Sequence, residues 1–449
     1  MTRNLALPVA LVLVASCNNT PAPVPSTAAN AIGFERVQQD LFSAPGGQPN
    51  AWADYDGDGD LDLFVGFRGA PNRLYRNEGG RFVDVAAAAG LTVPFETRAA
   101  SWGDFDSDGD PDLFLGFAAA RDARTRLYRN DGGDFTDVAA SLNLDLDGTT
   151  RQPAWVDYDQ DGDLDLFVAN QDGDTDGLYR NDEGRFTDVA PALGMDNPGR
   201  RSDIGGVGAA AADFDNDGDL DLYVAAYGPD LLWENLGGGR FRNAAPGTPL
   251  ASDTHDVTTA WGDFDNDGML ELYVSSFLSA QPEARDHLYK RTMSGWTDVL
   301  PQPFVEHGAS HGVAVADYDR DGALDIALAN NHAQGKHYLM RNTLPVSAAT
   351  RSLAVVALDS VRRWTLPGAE VRLYDTSTGR LLATRLVDSG SGYCAQGMAP
   401  LHFGLPAVVR SVDVELTYFN SGARRTAVTR HIDPTDYSGR ALVITPESR

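Results

Sequence analysis

A nine-residue acidic pattern recurs six times along this 449-residue chain, at intervals of 50, 53, 56, 50 and 54 residues. The copies begin at Asp54 (DYDGDGDLD), Asp104 (DFDSDGDPD), Asp157 (DYDQDGDLD), Asp213 (DFDNDGDLD), Asp263 (DFDNDGMLE) and Asp317 (DYDRDGALD). A period near fifty restricts the chain to a propeller or a solenoid, in which each unit buries its apolar surface only against its neighbours. Every unit has the grammar of a four-stranded sheet. A short strand precedes the loop, often with Trp two places before the first Asp, as at Trp52, Trp102, Trp155 and Trp261. An apolar strand follows, such as LDLFV; then come a RLYRN-type segment, a turn rich in Asn and Gly, and a RFVDV-type segment. Alternating runs joined by such turns read as hairpins, and four strands per repeat read as a propeller blade. The expected fold is all-β, a six-bladed propeller with a degenerate seventh blade left open. The last unit lacks its fourth strand. GFERVQQDL near Phe34 carries the missing pattern, so the amino-terminal strand is expected to close the ring and remove free sheet edges.

The acidic pattern has the spacing of a cation loop. In the first copy Asp54, Asp56, Asp58 and Asp62 converge if the backbone coils tightly, Gly59 permits the turn, and the carbonyl of Asp60 adds an oxygen. The matching sets are Asp104, Asp106, Asp108, Asp110 and Asp112; Asp157, Asp159, Asp161, Asp163 and Asp165; and Asp213, Asp215, Asp217, Asp219 and Asp221. The last two are Asp263, Asp265, Asp267, Met269 and Glu271, and Asp317, Asp319, Asp321, Ala323 and Asp325. Hard oxygen donors in this number suit Ca²⁺, so about six ions are expected, one per loop. Without a cation, two such charges ~4 Å apart repel by about 1 kcal/mol in water and about 4 kcal/mol at an effective dielectric near 20. An EF-hand requires a bidentate Glu at the twelfth position and flanking helices. The twelfth residues here are Val65, Leu115, Val168, Val224, Val274 and Leu328, which excludes it. The fifth loop, with Glu271 and Met269, and the sixth, with Ala323, are expected to hold their ions least well.

The loops and their LYRN…G.F.DV context resemble FG-GAP/VCBS repeats, the Ca²⁺-binding propeller repeats also found in integrin alpha chains. The resemblance covers residues 31–343. Beyond it the Asp density falls, and SVDVELTY from Ser411 is apolar at every second position, which reads as strand in a small β-sandwich. PGAEVRLY, GSGYCAQGMAPLHFGL and VDVELTYFNSG, within residues 350–447, resemble an ASPIC/UnbV domain. That resemblance implies a transthyretin-like sandwich; Tyr418 and Asn420 depart from the Trp and Pro common in its final hairpin. The two domains in this order resemble the cartilage acidic protein family and its bacterial members.

Residues 1–17 read as a signal peptide, with Arg3 before an apolar run too short to span a bilayer. The run ends in VASC, which resembles a bacterial lipobox with Cys17 as the lipidated residue; an ordinary secretory signal is the alternative. Residues 18–30 read as a flexible tether. The expected location is therefore outside the cytoplasm, on a lipid anchor at the bacterial cell envelope. The net charge is −28, and a chain with no basic face does not suit nucleic acid. Six divalent ions carry twelve positive charges, which would leave −16.

In a propeller the first strand of each blade lines the axis. Six places before the first Asp stand Gln48, Arg98, Arg151, Val207, Val257 and His311, with His255 and His307 nearby. Gln48, Arg98, Arg151, His255 and His311 are the candidate ligand-binding residues at the mouth opposite the loops. Two readings fit them: a site for an anionic or sugar ligand, or a cap on a channel that the protein fills itself. DSGSGYCAQGMAP carries Tyr393, Cys394 and Met398, residue types that favour burial. It is expected either to plug the channel against Arg98, Arg151 or His311, or to belong to the sandwich core. No nucleophile motif, zinc spacing or phosphate-cradling glycine pattern is present, so no catalytic residue is assigned. The function that fits is a binding or adhesion module for a protein or glycan. A polysaccharide lyase or hydrolase and a structural scaffold are the alternatives.

Overall fold

The computed structural model describes residues 31–446, apart from 160, 171–173, 195, 197–205, 227–228, 238–239, 252–255, 277–284, 302–303, 305–309, 333, 365, 389–392 and 421–422. Cys17, the leader and the tether lie outside the described residues, as do His255 and His307.

The repeats form six four-stranded antiparallel sheets. Blade 1 runs Gly47–Ala53, Asp62–Phe67, Arg73–Asn77 and Phe82–Asp84. Blades 2 to 5 repeat this order from Thr97–Gly103, Thr150–Val156, Gly206–Ala212 and Asp256–Gly262. Blade 6 has Ser310–Ala316, Asp325–Asn330 and Tyr338–Asn342, and its fourth strand is Phe34–Arg36. Phe34 pairs with Asn342 and Arg36 with Met340, as the amino-terminal pattern anticipates. The first two strands of every blade show a register shift near the end away from the acidic loop. Such bulges increase local twist.

Two devices fasten one blade to the next. Tryptophans two places before the loop reach a backbone carbonyl of the preceding blade: Trp52 Nε1 to Ala314 O, Trp102 Nε1 to Ala51 O and Trp261 Nε1 to Ala210 O, at 3.3–3.4 Å. The Asn ending the third strand does the same with its amide. Asn77 donates to Tyr318 O, Asn130 to Tyr55 O, Asn181 to Phe105 O and Asn342 to Phe264 O. The seam between blades 3 and 4 is looser. In blade 1, Leu63, Tyr75 and Phe82 are buried against Tyr318 of blade 6. Their register equivalents in blade 4 are Leu222, Trp233 and Phe241, and these are 37%, 36% and 53% exposed.

The carboxy-terminal part is a sandwich. One sheet holds Ser352–Ala357 between Leu401–Gly404 and the parallel Leu442–Ile444; the other orders Leu381–Leu386, Glu370–Asp375, Val412–Asn420 and Ala423–Ile432. Inward-facing Leu353, Val355, Val371, Leu373, Phe403, Val412, Val414 and Leu416 form its core. It sits on the loop face of the propeller, over blades 4 to 6. Arg372 Nη2 donates to Gly218 O of the fourth loop at 2.9 Å, and His402 Nε2 lies 3.2 Å from Gly322 O of the sixth.

Asp388 and Tyr393–Met398, between two strands of the sandwich, lie in the propeller axis. Ala395–Gln396 lies parallel to the inner strand of blade 2, Ala395 opposite Ala100 and Gln396 opposite Ser101. Met398 N donates to Trp52 O at 2.7 Å, and Gln152 Nε2 to Ala395 O at 3.1 Å. Gln396 is 1% exposed and bonds in four directions: Ser101 Oγ and Trp155 N donate to its Oε1, and its amide donates to Trp155 O and Asp388 O. Of the two placements open for this segment, the channel is the one found. The segment enters from the loop face and reaches the far mouth with Tyr393 and Cys394.

Two outcomes follow. Gln396→Ala should destabilise the folded chain by about 2–4 kcal/mol, because it leaves buried backbone and hydroxyl partners unpaired; the denaturant midpoint measures this. Cys394 is 2% exposed, and burial raises its thiol to about 11. It should therefore resist thiol reagents in the native chain and react at the rate of unfolding.

Candidate metal centres

Each acidic loop joins the first and second strands of its blade by a double left-handed turn. The glycine at the sixth position has φ between +92° and +103° in all six copies: Gly59, Gly109, Gly162, Gly218, Gly268 and Gly322. The fourth position is left-handed as well, at Gly57, Ser107, Asn216, Asn266 and Arg320. L-residues adopt such angles at a cost, so the coil is imposed by its surroundings.

The ninth-position carboxylate supplies much of that imposition. Asp62 accepts from Tyr55 N at 3.2 Å and from Asn77 N at 2.8 Å, which ties the loop to the second and third strands. Asp112, Asp165, Asp221 and Asp325 make the same pair of bonds. The first-position carboxylate accepts from the sixth-position glycine: Gly59 N to Asp54 at 2.9 Å, with equivalents at Asp104, Asp157, Asp213, Asp263 and Asp317.

These bonds turn the remaining oxygens toward one point. Carboxylate oxygens of Asp54, Asp56 and Asp58 lie within 4.8 Å of one another, as do those of Asp104, Asp106 and Asp108; of Asp157, Asp159 and Asp165; and of Asp213, Asp215 and Asp221. Oδ1 of Asp54, Asp104, Asp215 and Asp317 is buried without a hydrogen-bond partner. A buried acceptor left unpaired is expensive, and a hard divalent cation at the point of convergence would satisfy it. The donor set fits such an ion. Seventh-position side chains face elsewhere: Asp60, Asp110 and Asp163 accept from backbone N–H groups of the hairpin turn between the third and fourth strands, at Gly79, Gly132 and Glu183. Only their carbonyls remain for a metal, the role expected of this position. Asp161, Asp217, Asp219, Asp267, Asp319 and Asp321 stand within their own loops.

Burial raises the loop carboxyls, and neighbouring carboxylates add to it. Asp54, Asp104 and Asp213 rise to about 6, Asp165, Asp221 and Asp317 to about 7, Asp62 to about 8 and Asp112 to about 9.

The fifth loop differs. Oxygens of Asp263, Asp265 and Glu271 again lie within 4.8 Å of one another, but Lys290 Nζ donates to Asp265 and Asp267 at 2.9 Å and to Glu271 at 2.7 Å, so an ammonium group lies among these carboxylates. Sequence reasoning assigned Asp263, Asp265, Asp267, Met269 and Glu271 to an ion and overlooked Lys290. The signal was present in the third strand, where Lys290 and Arg291 stand in place of the Arg-Asn of RLYRN.

At the far mouth the structure brings Arg98, Arg151 and His311 around the tip of the axial segment. The Arg151 guanidinium lies 4.4 Å from the centre of the Tyr393 ring, and the His311 ring meets Tyr393 edge-on at 4.7 Å. Arg98 bonds Glu96 at 3.0 Å. Gln48 is 1% exposed and donates to Glu96 and Thr97 O. Val257 packs against Tyr393 and Cys394. Arg151, His311 and Val257 hold the chain's own segment, while Gln48 and Arg98 bond Glu96 beside it.

Comparison with known proteins agrees with this architecture. The model of the FG-GAP-like repeat matches residues 54–115, 117–168, 157–224 and 213–274. Cartilage acidic protein 1 of Homo sapiens is 30% identical over 257 residues, 54% of this chain and 36% of that protein. The Xenopus tropicalis protein of the same name is 29% identical over 293 residues, 60% of this chain and 42% of its own. The chain thus matches less than half the length of these relatives. Among solved structures, an Agrocybe aegerita lectin that recognises non-reducing terminal N-acetylglucosamine overlaps 67% of this chain and 80% of its own, with 18% identity and a TM-score of 0.35. SapL1 lectin with alpha methyl fucoside overlaps 68% of this chain and 97% of its own, with 13% identity and a TM-score of 0.40. Overlaps this loose bear on neither ligand nor chemistry.

The raised carboxyls give a signed prediction for chelated protein. A carboxyl whose folded value exceeds its unfolded value penalises the fold only when ionised. The penalty is absent below about pH 4, grows as pH rises, and is complete above the folded values of about 6 to 9. Chelated protein should therefore lose melting temperature as pH rises from about 4 to 9, and excess divalent cation should remove most of the loss. A flat profile in chelator would show that the loops do not carry this strain.

Proposed function

Since the chain is an FG-GAP-repeat protein related to cartilage acidic protein 1, we propose that it is a calcium-stabilised propeller acting outside the cytoplasm as a binding or adhesion module for a protein or glycan. The observation that carries this reading is the set of converging carboxylates with buried, unpaired oxygens. Three converging carboxylates per loop, with the seventh-position carbonyl free to join them, favour Ca²⁺ over Mg²⁺, which demands tighter octahedral geometry and keeps its waters. Ions bound there would cancel much of the repulsion within each loop and lower the net charge.

The axis supports binding at the surface over chemistry in the channel. Where a substrate would enter, the chain's own Tyr393–Met398 segment fills the space and engages Arg151, His311 and Trp52. The fifth-position carboxylates Asp58, Asp108, Asp161, Asp217 and Asp321 are open to water, and the sandwich touches the loops of blades 4 and 6 from the side. Attachment at a bacterial envelope through Cys17 would present this surface outward. No described helix is long and apolar enough to cross a membrane.

Purified chain in calcium should retain one or more ligands on a combined glycan and protein array and release them in chelator. Depolymerisation of any polysaccharide in a parallel substrate screen would replace this reading with the enzyme alternative.

A further inference from the structure

The fifth loop is chemically unlike the other five, and three independent features point the same way. The first is the ammonium of Lys290, which bonds Asp265, Asp267 and Glu271 together. In the other blades this third-strand position holds Arg76, Arg129, Arg180, Glu234 and Arg341. Arg76, Arg129 and Arg180 turn outward to Glu78, Asp131 and Asp182 of their own hairpins, and Arg341 pairs with Glu35 at 2.6 Å, with Asp319 and Asp321 of its loop farther off at 3.8 and 3.9 Å. Among the described residues, Lys290 is the third-strand cation that hydrogen-bonds three carboxylates of its loop and lies buried there.

The second feature is the ninth position. Elsewhere one oxygen of an Asp accepts from the N–H of the third-strand Asn. Here Glu271 accepts from Phe264 N at 2.8 Å, and its other oxygen accepts from Lys290. The longer side chain and the lysine replace the Asp and the Asn N–H as a matched pair.

The third is closure. Asp263, Asp265, Asn266 and Glu271 are 0% exposed and Lys290 is 7% exposed. The sandwich backbone seals the site: a Cβ at Gly404 would stand 2.0 Å from Asp263 Oδ2, and Pro406 packs on Gly268. Arg385 of the sandwich is buried near both the fourth and the fifth loops, and its charge favours ionised Asp263 and Asp213 alike. Lys290 brings its positive charge without the hydration that an arriving divalent ion would have to shed in a closed space.

We propose that the fifth loop binds no divalent cation and that Lys290 is its permanent counter-charge. The chain then carries at most five ions, and its fifth blade stays folded when the others are chelated. The inference rests on the proposal that the other loops take calcium.

Native mass spectrometry of the full chain in calcium tests it, with two matched variants. Asp159→Asn in the third loop should reduce the ion count by one, whereas Asp267→Asn in the fifth should leave it unchanged. Loss of one ion from Asp267→Asn, or six ions on the wild-type chain, would overturn the inference while leaving the calcium reading intact. No ions on the wild type would overturn the calcium reading, and the contrast between loops with it. Lys290→Met, if it folds, should gain an ion or lose stability that calcium restores; unchanged stability with no added ion would count against the lysine's role.

Discussion

One buried carboxylate per blade holds the repeat together. Asp62 and its counterparts stand where the acidic loop, the second strand and the third strand meet, and each accepts backbone N–H groups from two of them. Replacing such a residue would leave donors unpaired in the interior. Keeping it brings an ionised group close to three more. The coil of the loop and the fit of its oxygens to a cation are two ways of stabilising that charge where water cannot. The blade therefore has a structural carboxylate first, and the candidate metal site is what makes its ionised form tolerable.

Two solutions to the same electrostatic problem coexist in one ring. Carboxylate oxygens converge in the first five loops, the fifth included, and the sixth preserves the same carboxylate spacing. The fifth closes over an ammonium. The solution chosen tracks the environment: loops 1 to 3 face water, from which an ion can arrive, and loop 5 lies beneath the sandwich, where a covalently attached charge needs no route in.

Much of this was legible in the residues. The spacing of six Asp clusters specified the blades, and the Phe34 segment specified the closing strand, because both are local patterns that repeat. Tyr393, Cys394 and Met398 marked a buried loop, since such residues are seldom exposed together. The side of the propeller that carries the sandwich was not legible, nor was the passage of that loop from one face to the other; both depend on contacts nearly 300 residues apart, such as Gln396 with Ser101. Lys290 escaped notice because lysine for arginine looks conservative, and only the direction of the side chain shows that it is not. The loose seam at blade 4 was also invisible, since Leu222, Trp233 and Phe241 fit the apolar pattern of every other blade.

The axial segment has a consequence for how the chain can be assembled. Its partners Trp52, Ala100 and Trp155 belong to the first three blades, and the strand Phe34–Arg36 waits for Tyr338–Asn342. A chain emerging from the ribosome in order thus makes its earliest blades before either the strand that completes the circle or the peptide that fills its centre exists. Blades 1 to 3 must stand as an incomplete arc with an unfilled inner wall until the last quarter of the sequence arrives. Contacts of such long sequence separation form slowly, and an exposed inner wall invites misassembly in the interval. Folding of this protein is therefore a late, whole-chain event, and a truncation at the end of the propeller would remove the piece around which the ring is built.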